Sequence, residues 1–130
     1  MNSQTPLGQS IGPKTPSSIE PIAIRQWLQK YERYLILVGR EATGERYGRA
    51  LERFLGTYPG KTYAHEFLRP VINEYVENRL AEGASVATVR LELSAIRGLF
   101  QFMLDMGALD LMFNPAKNVK VVPKRRSPEH

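Results

Sequence analysis

Guanidinium groups recur at helical intervals in two places along this chain. Arg46, Arg49 and Arg53 are spaced by three and four residues, and Ala87, Arg90, Ser94, Arg97 and Gln101 repeat the same spacing. A third cationic group closes the sequence, where Lys117, Lys120, Lys124, Arg125 and Arg126 face a single acid, Glu129. Residues 114–130 thereby hold +4 of the chain's formal net charge of +5. An arginine fork pairs bidentately with guanine in the major groove, which is worth about 1–3 kcal/mol of discrimination. Lysines on phosphates add affinity with little sequence choice. If the three basic elements lie on one side, they form a concave cationic surface for a duplex. An ordinary solvated face is the other reading of the first triplet. Its Arg49–Arg53 pair costs an isolated helix about 0.2–0.5 kcal/mol, which Glu45 and Glu52 on the flank can offset.

Other chemistries find few residues to carry them. There is no cysteine, so disulfides and thiolate metal sites are excluded and a reducing compartment is expected. Two histidines, His65 and His130, stand alone, so neither a metal nor a cofactor is expected. Glu74 and Glu77 have no evident partner and read as solvation. The glycines are scattered rather than gathered into a phosphate loop. No apolar run approaches the ~20 residues of a membrane span, and the polar start has no secretory signal's apolar centre. A cytoplasmic location is expected, with no membrane partner.

The elements that position the arginines are helical throughout. Residues 1–18 hold three of the nine prolines, lack apolar periodicity and are expected to be a disordered lead-in. Ile24, Trp27, Leu28, Tyr31, Leu35 and Val38 then mark a first helix, with Pro21 in its first turn and Gly39 as its stop. Tyr47, Leu51, Phe54 and Leu55 mark a second over residues 41–56. The third starts with Pro70 at a first helical position and ends at Gly83. The fourth, residues 86–106, follows a Ser85 cap and stops at Gly107. Val86, Val89, Leu93, Ile96, Phe100 and Met103 form its apolar side, widened by Leu91, Ala95, Leu99 and Phe102. What remains is the stripe from Ala87 to Gln101, which holds no acid because Glu92 falls elsewhere. The chain is predicted to be all-α, a compact four-helix bundle over residues 19–113, followed by an extended basic linker over 114–130.

Three motifs occur in order: TGERYGRALERFL, GASVATVRLELSAIRGLFQFM and NPAKNVKVVPKRR. Their succession over residues 20–126 resembles the N-terminal SAM-like, core-binding domain of tyrosine recombinases (phage integrases and Xer-type enzymes). The resemblance implies sequence-specific binding of double-stranded DNA by one half of a C-shaped clamp. It places the starts of helices two and four in the major groove and makes the tail a strap to a catalytic domain. That domain would be a partner within the same parent protein, which would assemble as a homo-tetramer on DNA. A prokaryotic, phage or mobile-element setting, associated with the nucleoid, is also implied.

By this resemblance the DNA-facing positions are Thr43, Arg46, Arg49 and Arg53 in helix two. In helix four they are Ser85, Ala87, Thr88, Arg90, Leu91 and Arg97. Lys117, Lys120, Lys124, Arg125 and Arg126 complete the set. Ala87 and Leu91 can touch only a thymine methyl. Thr43, Ser85 and Thr88 read equally as capping or first-turn residues, and Arg97 as a helix-packing or carboxylate-pairing residue. Arg40 stands where the pattern has a capping serine. The family's H-x-x-R box is absent, since Leu68 holds the fourth place after His65. Tyr31, Tyr47 and Tyr75 fall on core faces, so the chain is not expected to be an enzyme. A helical protein–protein interaction module and a small DNA-binding regulator are the rival readings.

Overall fold

The computed structural model describes residues 20–122. Helix α1 spans Ile24–Leu37, α2 Glu41–Thr57, α3 Arg69–Ala81 and α4 Val86–Asp105, with a short 3-10 turn at Ala64–Glu66. No strand occurs among the described residues. The four-helix, all-α expectation holds, and each helix lies within a few residues of its predicted span. The proline-rich start and the last basic residues, Lys124, Arg125 and Arg126, lie outside the described residues.

Local chemistry sets most helix ends. Gly39 sits at φ 83°, where a side chain would be strained, and it ends α1. There the Arg40 amide donates to the Leu35 carbonyl (2.7 Å) and the Gly39 amide to that of Ile36 (3.0 Å). Gly107 closes α4 in the same way. Pro70 lies in the first turn of α3, as expected. Pro21 does not do so in α1, whose N-cap is Ala23. The start of α1 is satisfied from a distance instead, by the Ile24 amide donating to the Thr62 carbonyl at 2.8 Å. Arg40 precedes α2 without a side-chain cap, and Glu41 supplies the acid favoured in a first turn.

Helix α4 is the centre of the domain and packs on α1, α2 and α3. Val89, Leu93, Ala95, Ile96, Leu99, Phe100 and Met103 are all buried. Phe54 of α2 joins this core, with its ring centroid 5.0 Å from Tyr75 and 5.3 Å from Phe67. Gly44 and Gly48 let α2 approach α1, since a Cβ on Gly44 would lie 3.4 Å from Leu35 Cβ.

One expected boundary shifts. The sequence places residues from 114 onward in the linker, yet Asn114, Pro115, Ala116 and Val119 are buried. The side chain of Asn114 explains the return. Its Nδ2 donates to the Arg97 carbonyl at 3.1 Å, and its Oδ1 accepts from the Ala116 amide at 2.9 Å. Small apolar Ala116 and Val119 then fit against the bundle, so the packed domain extends to Val119.

Candidate nucleic-acid interface

Arg46, Arg49 and Arg53 project from the outer face of α2, and all three are exposed. The flanking acids do not balance them. Glu52 pairs with Arg25 of α1 at 2.9 Å, and Glu45 forms no ion pair among the described residues. Arg46 and Arg49 likewise have no acid within 4.0 Å there. Arg53 differs, because its Nε lies 3.8 Å from Glu92 Oε2 on α4. Thr43, in the first turn of α2, is half-buried.

Glu92 lies off the stripe, as expected, but its partners are not evident from the sequence. It is buried, with a side chain 5% exposed. Arg79 of α3 grips it with Nε on Oε1 and Nη2 on Oε2, both at 2.9 Å, and the Tyr75 hydroxyl donates to Oε1 at 3.1 Å. The hydrogen bond to Glu92 raises the Arg79 pKa despite partial burial. Burial first, and then the Glu92 charge, push the Tyr75 pKa up. One carboxylate therefore ties α3 to α4 and reaches toward α2. The signal was present in the sequence. Val89 three residues before Glu92 and Ile96 four residues after it are both buried, so an acid between them faces inward.

On α4, Ser85 is the N-cap, its Oγ accepting from the Thr88 amide at 3.1 Å. The Ser85 hydroxyl also donates to Thr88 Oγ1 at 2.9 Å. Ala87, Thr88 and Arg90 are exposed and Leu91 is half-buried. Arg97 makes no carboxylate pair among the described residues. Its Nε donates to the Ala116 carbonyl at 3.1 Å and its Nη2 to that of Val119. That fork holds the C-terminal segment rather than another helix.

The stripe on α4 is thus divided. Its first half, Ala87 to Ser94, faces outward, while Arg97 and Gln101 receive the segment from Asn114 to Val119. Between the halves lies a half-open cleft of about 350 Å³, lined by Arg90, Leu93, Ser94, Arg97, Lys120 and Val121. Lys117 and Lys120 are exposed on the returning segment. The structure therefore brings Arg90, Arg97 and Lys120 around one cleft and leaves Arg46 and Arg49 on the outer face of α2. Elsewhere, His65 is held by Asp110, with Nδ1 3.0 Å from Oδ2. The described residues contain no cluster of three acids and histidines that could hold a metal. They also contain no helix long and apolar enough to cross a membrane.

Residues 23–107 match the family described as "Phage integrase, N-terminal SAM-like domain". No curated protein and no solved structure matches the chain. The matched span covers all four helices and stops before Asn114, so the docked segment lies beyond it.

Proposed function

The chain belongs to the phage integrase N-terminal SAM-like domain family, whose members serve DNA binding in site-specific recombination, and from that premise we propose that it recognises one arm of a recombination site. In this reading Arg46, Arg49 and Arg90 approach base edges and phosphates in the major groove. Lys117 and Lys120 follow the backbone, and Lys124, Arg125 and Arg126 continue that path. The domain holds a catalytic domain of the same parent protein in position for strand exchange, and the parent assembles as a tetramer on DNA. The tyrosine nucleophile and its cationic cluster belong to that second domain.

One observation carries the reading beyond family membership. Four acids are held by basic residues of the bundle, Glu52 by Arg25, Glu82 and Glu92 by Arg79, and Asp110 by His65, while Glu45 beside Arg46 is exposed and unpaired among the described residues. Arg46, Arg49, Arg90, Lys117 and Lys120 are exposed and lack an acid within 4.0 Å among the described residues. Their charge is available to a polyanion.

Fluorescence anisotropy with a labelled duplex of inverted repeats, titrated at several salt concentrations, tests this. Each phosphate contact contributes about −0.9 to the log–log salt slope, so Lys117→Ala with Lys120→Ala flattens it by up to about 1.8. Arg46→Ala and Arg90→Ala reduce preference for one duplex over another. Absence of binding at low ionic strength, or binding indifferent to salt, refutes the proposal.

A further inference from the structure

We propose that the cleft between α4 and the returning C-terminal segment is a seat for a single phosphate group, and that filling it locks the segment in its docked path. Three cations, Arg90, Arg97 and Lys120, line this cleft together with Ser94, and none of its lining residues is acidic. Arg97 is half-buried and has no acid within 4.0 Å among the described residues. A partly desolvated cation without a counter-charge favours an anion beside it. Ser94 supplies a neutral hydroxyl donor, which an anion accepts and a cation would not need.

The seat is preorganised on one wall and conditional on the other. Arg97 is fixed through Nε and Nη2 by the Ala116 and Val119 carbonyls, so its guanidinium is already oriented, little rotamer freedom is lost on binding, and Nη1 is the donor it offers an anion. Lys120 reaches the cleft only because Ala116 and Val119 are buried beside α4. An anion there bridges Arg90 and Arg97 of α4 to Lys120 of the segment, so filling the cleft and docking the segment favour one another. Any ligand that binds only the docked state shifts the segment toward it.

The shared chemistry is a phosphate group, free or within a nucleic-acid backbone. Only the second source rests on the DNA-binding reading above. The 130-residue chain is titrated with inorganic phosphate at constant ionic strength, using amide and arginine Nε–H NMR signals. Saturable shifts are expected at Ser94, Arg97, Lys120 and Val121, together with slowed hydrogen exchange of the Val119 and Val121 amides. Arg90→Ala and Lys120→Ala, both at exposed positions, each weaken phosphate roughly fivefold or more while the fold persists. Arg97→Lys keeps the charge and loses the fork, and it abolishes the exchange effect.

Shifts no larger than those at Arg46 and Arg49 mean diffuse attraction and overturn the inference. Unchanged exchange at Val119 overturns the locking. A short duplex forms the second arm. Duplex binding that survives without a phosphate response refutes the seat alone, whereas a phosphate response without duplex binding refutes the DNA reading and leaves the seat standing.

Discussion

Replacing Glu92 by alanine tests the central electrostatic feature of the domain. Its carboxylate is 5% exposed and receives both Arg79 donors at 2.9 Å and the Tyr75 hydroxyl at 3.1 Å. Removing one partner of a buried ion pair costs about 3–5 kcal/mol, since the other charge is left uncompensated. Here Arg79 keeps Glu82 at 3.0 Å, an exposed acid that remains as a weaker counter-ion. The expected loss is therefore near the lower end, ~3 kcal/mol. For a domain of this size that lowers Tm by roughly 12–24 °C. Urea unfolding followed by the fluorescence of Trp27, the single tryptophan and a buried one, reads the change directly. A double-mutant cycle with Arg79→Ala separates the pair from generic burial, with an expected coupling of ~2 kcal/mol. A loss under ~1 kcal/mol, no greater than that expected of a surface change such as Glu45→Ala, refutes the argument. So does simple additivity of the two single variants.

Further outcomes follow from the same geometry. Arg97→Ala removes the donors to Ala116 and Val119, and limited proteolysis is expected to cut residues 114–122 faster while the four helices persist. Gly98→Ala places a Cβ against the Tyr31 hydroxyl, with Tyr31 Cζ only 3.2 Å away. Overpacking of ~1–3 kcal/mol then exceeds the helix-propensity gain of ~1 kcal/mol, and thermal melts show net destabilisation. Gly56→Ala, on α2 with nothing within 4 Å, stabilises instead by ~0.5–1 kcal/mol. Burial raises the Tyr31 pKa to about 12. The folded form thus holds this proton longer than the unfolded chain, whose tyrosine titrates near ~10. Tyr31 contributes stability that is intact below the unfolded value and lost as pH rises through the folded one. Ultraviolet titration paired with denaturation across that window checks it.

The helices were legible because apolar spacing and end signals agreed at almost every boundary. Gly39, Ser85 and Gly107 act through local geometry, which a sequence displays in full. Pro21 misled because the Ile24 amide finds its acceptor at Thr62, a contact between distant segments. The packed segment from Asn114 was hidden for a similar reason. Its burial depends on Arg97 and on the amide of Asn114, and neither shows helical or strand periodicity. The candidate site was legible in its residue types and less so in its partners. Arg46, Arg49 and Arg90 are exposed as expected, but Arg53 leans toward Glu92, and the sequence does not show the backbone acceptors of Arg97.

Buried acid and exposed base are two sides of one arrangement. A chain whose formal charge is only +5 attracts a polyanion more strongly where acids are held away from its exposed cations. Glu92 is drawn into the core and neutralised there by Arg79, a residue of α3. Glu52 is drawn sideways to α1 by Arg25. Each pairing engages an acid with a cation of another helix and so fastens one helix to the next, while Glu45 stays exposed beside Arg46. Arg53 stands at the boundary between these two roles, 58% exposed and 3.8 Å from the carboxylate that Arg79 already holds. Glutamine at position 92 would keep the shape and remove that pull, freeing Arg53 for an outer ligand. Glu92→Gln should therefore weaken the fold yet tighten duplex binding at low salt. A parallel loss of both would mean that the helices' mutual angle, rather than the charge left outside, controls the interaction.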